Sequence, residues 1–420
     1  DQVDATTGTA DQQASKQKAI RDELAHGHKT GQAQLAPHFA EYVREQLTTL
    51  FADDPAALNG NITVTTTLDA AVQDQANTAV QKGVQQLTSQ GANNGALLML
   101  DSHTGAIIAM VGSANFLDDT IAGQYNITTG QRRPGSSFKP YVYETGFIDG
   151  ALKPDTILQD TRQQSQQYGG VQDFDGQFEG NITAARSLLD SRNVSTEQAM
   201  EKAGTQNVIN FVHALGITSD LAPNLSTAIG TNAVRMIEHT AAYAAFSNGG
   251  TTVTPRSIAK VTDSSGNVLY DAGQTATGHA VMDKPHADAI SRILVGYPSH
   301  WNLGYKHQVA AKSGTTDNFV DAWLMAYTPD FVVATWAGHT DQTGAEIGMK
   351  QVFGTQVGKA ISVPFVNSLP SSMFHAFSLS SGLTDCSSPD ASLSMDRSGC
   401  PTPTPTPTAT PSPTPSSTPT

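Results

Sequence analysis

The stretch RRPGSSFKPYVYE, residues 132–144, carries the strongest structural and chemical signal in the chain. Pro140 has no N–H and would break the interior of a helix, but the first turn accepts it because N–H groups there have no intrahelical partner. The proline therefore predicts a helix that begins at Ser136 as its N-cap, with Gly135 allowing a tight entry. Ser136 and Lys139 then lie on one face of that helix.

This placement suits a serine nucleophile. Backbone N–H groups at a helix N-terminus stabilise negative charge as it develops, and Lys139 can take the serine proton if it is a neutral amine. Lowering a lysine pKa from about 10.4 to about 7 requires roughly 4–5 kcal/mol, which burial and a nearby cation can supply. The hypothesis therefore predicts a second lysine in the same pocket. Because S-x-x-K is a common pattern, a plain helix cap at Ser136 is the alternative.

Composition excludes several other function classes. The chain has 420 residues, a net charge of −14 and only 15% charged residues, so it lacks the basic surface that binds nucleic acid. Its histidines form no H-E-x-x-H pattern, and we expect neither a metal nor a cofactor. The segment GQRRPG (130–135) has the glycine spacing of a P-loop, but Ser136 stands where the phosphate-binding lysine belongs.

Apolar patterns along the chain predict a mixed fold, α/β or α+β, in which the two ends of the domain meet in one sheet. Helical spacing begins at Pro37 and again after Asp69, a residue type that caps helices. Residues 140–250 have a mainly helical pattern. Extended patterns occur at 61–68 and 257–271, and hairpin patterns at 96–113 and 322–338.

Two further motifs raise the specificity of the signal. SRN follows at 191–193 and KSGTT at 312–316, directly before the second hairpin pattern. The order S-x-x-K, S-x-N and K-T-G is the motif set of penicillin-binding proteins and serine β-lactamases. The chain resembles the transpeptidase domain of a class A (bifunctional) penicillin-binding protein. The resemblance runs from about residue 37 to 364 and includes ITVTTTLDAAVQ, ALLMLDSHTGAIIAMVG and AKSGTTDNFVDAWLMAYTPD.

The resemblance implies a penicillin-binding/serine β-lactamase-like fold, with a central, mainly antiparallel sheet flanked by helices and an all-helical subregion. It implies a linker remnant of a glycosyltransferase module at 1–92, the transpeptidase domain at 93–375, and a loop and disordered Thr/Pro-rich tail at 376–420. Most or all of the glycosyltransferase module is expected to be missing. A missing N-terminal region would tether the protein at the extracytoplasmic face of the bacterial membrane, beside the cell wall.

Roles carry over residue by residue as implications of the resemblance. Ser136 would be the acylated nucleophile, Lys139 its base, Ser191 a proton relay and Lys312 the second cation. Asn193 would bind the substrate amide. Ser313, Gly314, Thr315 and Thr316 would surround the substrate carboxylate, and the backbone N–H groups of Ser136 and Thr315 would form the oxyanion hole. Ser313 replaces the usual threonine and keeps the hydroxyl, whereas Arg192 occupies a variable position.

The implied reaction cross-links peptidoglycan stem peptides by D-alanyl-D-alanine transpeptidation, and β-lactam antibiotics would acylate the same serine. A D-alanyl-D-alanine carboxypeptidase or a β-lactamase would use the same residues with water as the acceptor. A cell-wall scaffold or β-lactam sensor with little turnover is the alternative outside enzymology. The interpretation of the chain as a purely structural stalk protein would be supported by the Thr/Pro tail alone.

Cys386 and Cys400 are the two cysteines of the chain, and no histidine lies near them in a zinc-finger pattern. A disulfide that closes a small loop is expected in an exported protein and would contribute about 3 kcal/mol. Two free thiols are the alternative.

Overall fold

The computed structural model describes residues 35–273 and 278–380. Its α-helices are α1 (Pro37–Leu50), α2 (Ala70–Leu87), α3 (Lys139–Ile148), α4 (Arg162–Gln167), α5 (Ala184–Leu189), α6 (Val194–Ala203), α7 (Thr205–Ala214), α8 (Met236–Ser247), α9 (Lys284–His300), α10 (Gly354–Val357) and α11 (Val363–Val366). Its strands are β1 (Thr63–Thr66), β2 (Asn94–Asp101), β3 (Ile107–Val111), β4 (Gln131–Arg132), β5 (Ile157–Asp160), β6 (Gly180–Thr183), β7 (Val234–Arg235), β8 (Ile258–Thr262), β9 (Val268–Asp271), β10 (Ala310–Thr315), β11 (Asp321–Tyr327) and β12 (Phe331–Gly338). Cys386, Cys400 and the Thr/Pro-rich tail lie outside the described residues, so the disulfide stays a prediction.

The centre of the fold is a five-stranded antiparallel sheet in the order β10-β11-β12-β2-β3. Both predicted hairpins are present, and they meet where β12 pairs with β2, for example at Ala334 opposite Leu98. The prediction that the two ends of the domain share one mainly antiparallel sheet is therefore confirmed.

Apolar side chains cover both faces of this sheet. Successive residues of a strand point to opposite faces. In β2, Leu98 and Leu100 pack into the core on one face, while Leu97 and Met99 pack on the other. Helices α3, α8 and α9 cover the first face, and α2 covers the second. Burial on both sides explains why β2 and β12 read as continuous apolar runs.

Helix α2 begins as predicted. The Asp69 carboxylate accepts hydrogen bonds from the N–H groups of Ala71 (2.9 Å) and Val72 (3.0 Å), which satisfies two of the free donors at the helix start. The apolar stripe that follows is buried against the sheet. Its residues are Val72, Ala76, Val80, Val84 and Leu87.

Some extended elements differ from the sequence prediction. The strand expected at 61–68 is shorter and joins a hairpin, β8 and β9, in a separate sheet ordered β1-β8-β9. The mainly helical region also contains the pair β5 and β6, and β7 pairs with β4. These strands are only two to four residues long. That is too short for the alternation of apolar and polar residues typical of a strand to be recognised within a mainly helical pattern. Across the described ranges, no helix has both the length and the apolarity that a membrane span requires.

Candidate active site

The turn that carries Ser136 precedes α3 and is not its cap. Residues Gly135–Phe138 form a 3-10 turn, and the α-helix begins at Lys139. The predicted N-cap at Ser136 is therefore wrong, although Pro140 does lie in the first helical turn. The displacement arises at Gly135, whose left-handed φ of 54° reverses the chain just before the serine.

Gly135 also explains why the turn lies against β10. A Cβ atom at this position would lie 2.6 Å from the Thr315 oxygen and 2.8 Å from the Thr315 nitrogen. On the other side, a Cβ on Gly230 would lie 2.1 Å from the Gly135 oxygen. Only glycine permits these backbone approaches, and they bring Ser136 beside the end of the strand that carries KSGTT.

Ser136 carries the side chain of the turn that is free, although its carbonyl accepts from the Lys139 N–H. It is partly exposed, and within the described part of the chain its hydroxyl has no hydrogen-bond partner. The contact expected between the Ser136 hydroxyl and the Lys139 amine is not formed in this structure.

Lys139 is fully buried, and its Nζ donates three hydrogen bonds to the SRN segment. The acceptors are the Ser191 carbonyl (2.6 Å), the Arg192 carbonyl (2.8 Å) and the Asn193 Oδ1 (2.7 Å). All three protons of an ammonium are thus accepted. The Lys139 pKa is lowered to about 7, chiefly by burial; the carboxylates of Asp173, Asp160 and Glu197 act in the opposite direction, and the Arg192 charge acts in the same direction as burial.

Lys312 is the second lysine that the nucleophile hypothesis required. Its Nζ donates to the Ser191 Oγ (2.7 Å) and to the Ser313 carbonyl (3.0 Å). Burial, followed by the nearby Lys139 charge, holds the Lys312 pKa well below its usual range. Ser191 therefore joins the two lysines, and it does so from a left-handed backbone with φ of 60°, a conformation that costs about 1–3 kcal/mol outside glycine.

The remaining motif residues line the end of β10. The Ser313 hydroxyl bonds to the Tyr297 hydroxyl (2.6 Å), and the Thr315 hydroxyl accepts from the Gly354 N–H (3.0 Å). The Thr316 hydroxyl accepts from the Asp321 N–H (2.9 Å). Gly314 packs on the nucleophile turn, since a Cβ there would lie 2.0 Å from the Pro134 oxygen. The structure thus brings all the predicted site residues into one region.

Arg192 is a site feature that sequence reasoning missed. The residue looked variable, yet its side chain is 1% exposed and its guanidinium lies among carboxylates and a carbonyl. Its nearest charged partners are Asp160 (2.8 Å), Asp175 (3.0 Å) and Asp173 (3.3 Å), with Glu179 farther away at 3.7 Å. Burial and the neighbouring Asp160 raise the Asp173 pKa to about 7. The only available signal was the density of acidic residues at 173–179.

An aromatic side chain from that acidic segment reaches towards two other elements. The Phe174 ring, half exposed, lies 5.8 Å from the ring of Trp301 and 6.4 Å from that of Phe353, in edge-to-face geometry. Phe353 directly precedes Gly354, the partner of Thr315. Within the described ranges, no group of His, Cys, Asp and Glu residues is arranged to hold a metal ion.

Comparisons with known proteins cover the part of the chain that carries this site. A family model described as "Penicillin binding protein transpeptidase domain" matches residues 95–362, which include every residue of the candidate site. Among curated proteins, penicillin-binding protein 1A of Aquifex aeolicus is 29% identical over 254 residues, covering 58% of this chain and 34% of that protein. Penicillin-binding protein 1A of Neisseria lactamica is 30% identical over 261 residues, covering 58% and 32%. The chain spans about a third of the length of these relatives.

Solved structures share the fold. PonA1 of Mycobacterium tuberculosis in complex with penicillin V superposes with a TM-score of 0.69 at 24% identity, covering 81% of this chain and 94% of that one. Penicillin-binding protein 1A of Haemophilus influenzae superposes with a TM-score of 0.68 at 16% identity, covering 82% and 72%.

Proposed function

This chain belongs to the penicillin-binding protein transpeptidase domain family, and from that membership we propose that it is a serine D-alanyl-D-alanine transpeptidase that works through an acyl-enzyme on Ser136. The domain is proposed to occupy residues 93–375. The observation that carries the proposal is the meeting of two buried lysines at Ser191, one of which, Lys139, follows the unpartnered hydroxyl of Ser136 by three residues.

Acylation begins at the Ser136 hydroxyl. Its Oγ attacks the carbonyl carbon between the two terminal D-alanines of a stem peptide, and its proton passes to the neutral amine of Lys139. A neutral amine has one donor fewer than the ammonium and gains a lone pair. Loss of a proton therefore releases one of the three SRN contacts of Lys139 and creates the acceptor that the Ser136 hydroxyl needs.

The proton then reaches the leaving group. The C–N bond to the last D-alanine breaks, and its nitrogen takes a proton through the Ser191 Oγ, which Lys312 contacts at 2.7 Å. The backbone N–H groups of Ser136 and Thr315 stabilise the oxyanion, a contribution worth a few kcal/mol in comparable sites. The hydroxyls of Ser313 and Thr315 hold the substrate carboxylate, and the Asn193 amide binds the donor peptide.

Deacylation completes the cycle. An amine of a neighbouring strand attacks the ester carbonyl, the bond to the Ser136 Oγ breaks, and the amine proton returns to the serine. A β-lactam follows the first step only, because its ring C–N bond opens without losing a fragment and the serine stays acylated. The proposed partners are thus peptidoglycan stem peptides and β-lactams, at the extracytoplasmic face of the membrane to which a further N-terminal region would tether the domain.

The acceptor is tested with a synthetic stem pentapeptide ending in D-alanyl-D-alanine, with and without an added amine, followed by mass spectrometry. We expect D-alanine release together with an amine-linked product. If D-alanine is released and water is the sole acceptor, the chain is a carboxypeptidase and the proposed transpeptidase function is wrong. Penicillin acylation without any peptide turnover would favour a β-lactam sensor.

The rate of acylation should depend on pH through Lys139. Because the neutral amine is the reactive form and its pKa is about 7, the rate should rise from pH 5 and level off above about 7, with the value at pH 6 roughly a tenth of the plateau. Quenched-flow measurement with a penicillin between pH 5 and 9 checks this. Glu197→Gln should move the midpoint to lower pH, since this carboxylate raises the Lys139 pKa. A flat profile, or a shift to higher pH, would contradict the assignment of the base.

A further inference from the structure

A buried histidine lies beneath the nucleophile turn and takes no part in the reaction described above. His239 is on α8, is 0% exposed, and lies between two hydroxyls. Its Nε2 is 2.9 Å from the Ser137 Oγ, and its Nδ1 is 2.8 Å from the Tyr141 hydroxyl. Ser137 is the chain neighbour of Ser136.

The hydrogen-bond directions follow from the partners. The Ser137 hydroxyl donates its proton to the Pro134 carbonyl (2.7 Å), so it can only accept from His239. The imidazole therefore carries its proton on Nε2 and accepts at Nδ1 from the Tyr141 hydroxyl. Burial lowers the His239 pKa to about 3, which keeps the ring neutral. The rings of Tyr141, Tyr243 and Trp323 pack against it edge to face.

The residues on either side of Ser136 are fixed by side chains of this cluster. The Trp323 Nε1 donates to the Arg133 carbonyl (2.8 Å), and the Tyr243 hydroxyl donates to the Ser137 carbonyl (2.6 Å). The Gly135 N–H donates to the Gly230 carbonyl (3.2 Å). Every residue from 133 to 137 is thus held by hydrogen bonds, and at Ser136 the carbonyl accepts from the Lys139 N–H while the side-chain hydroxyl stays free. Rigid neighbours and a free hydroxyl are what a pre-organised nucleophile requires.

We propose that His239 is a positioning residue for the nucleophile: its Nε2–H fixes the Ser137 hydroxyl and, through it, the turn that aims the Ser136 hydroxyl and N–H at the acyl donor. The inference rests on the proposed function of Ser136. It assigns His239 no charge and no proton transfer. If His239 only filled volume in the core, the acylation rate would depend on the size of the side chain at this position and not on its hydrogen bonds. Substitutions that separate size from hydrogen bonding can measure that difference.

The test compares His239→Gln with His239→Leu. Glutamine offers an amide donor and an oxygen acceptor at a separation similar to that of the two ring nitrogens, whereas leucine fills the space without either. Benzylpenicillin is the probe. Mass spectrometry gives the fraction of chains that carry a Ser136 adduct, and stopped-flow kinetics separate the first-order acylation step from the initial binding constant.

We expect His239→Leu to slow the acylation step about tenfold, comparable to one buried hydrogen bond, with binding and final adduct fraction unchanged. His239→Gln should recover most of the rate. The midpoint of the pH profile should stay the same in both variants because the ring is neutral. Three results would each overturn the proposal. The first is a loss only of the fraction of chains that react, with the acylation rate unchanged. The second is the same acylation rate in both variants, and the third is a shift in the midpoint of the pH profile.

Ser137→Ala removes the same link from its other end and creates little space, so it tests the proposal even if the His239 variants do not fold. It should slow acylation by a similar factor, and combining it with His239→Leu should add little, as expected for two residues that act through one contact. Additive losses, or full-rate acylation in Ser137→Ala, would refute the positioning role. Absence of any adduct on the unsubstituted chain would instead contradict the proposed function itself.

Discussion

Ser136→Ala is expected to abolish covalent labelling of the chain by a fluorescent penicillin, slowing acylation by about 10⁴-fold or more. The alanine removes the oxygen atom that is proposed to form the ester, while the lysines at Ser191 and the turn geometry are expected to stay in place. Labelling is followed on a denaturing gel over time, with the folded state of the variant checked by circular dichroism.

Ser137→Ala provides the matched control, since it removes a hydroxyl from the adjacent residue. That variant should label slowly but to completion. A labelled band that survives in Ser136→Ala would place the nucleophile elsewhere and reject the site. A folded, unsubstituted chain that takes no label would mean that the pocket is closed or inactive, and the scaffold interpretation would replace the enzymatic one.

Arg192→Met is expected to lower the free energy of unfolding by about 3–5 kcal/mol, the usual cost of removing one partner from a buried ion pair. Asp160 and Asp173 would remain buried without their cation, and methionine cannot supply the lost hydrogen bonds. Urea unfolding at pH 8 measures the deficit. The acylation profile should also shift to higher pH, because the Arg192 charge lowers the Lys139 pKa.

The loss of unfolding free energy caused by Arg192→Met should become smaller as the pH falls. The Asp173 pKa is already raised to about 7 beside the guanidinium, and it rises further without that charge, so protonation of Asp173 at pH 5 relieves the buried charge. Arg133→Met is the control, since it breaks an exposed pair with Glu346 and should cost less than about 1 kcal/mol. Equal losses in the two variants, or a deficit that grows on acidification, would contradict a buried charge cluster.

Local patterns predicted much of the framework. The apolar runs at 96–113 and 322–338 identified the two central hairpins, and Asp69 identified the start of α2, because strand pairing at a hairpin and capping at a helix end depend on residues close in sequence. The three motifs likewise predicted which serines, lysines and asparagine lie together in the candidate site.

The sequence by itself determined the composition of the site, and the tertiary structure decided its electrostatics. The Lys139 pKa falls to about 7 because the fold buries the amine, and the fold also brings the Ser191 carbonyl, more than fifty residues later, within hydrogen-bond distance of it. Arg192 and His239 looked ordinary in sequence because their partners, Asp160 and Ser137, lie far away along the chain. Desolvation and hydrogen bonding act through space, so the groups that we propose tune and position the nucleophile come together only once distant segments have packed.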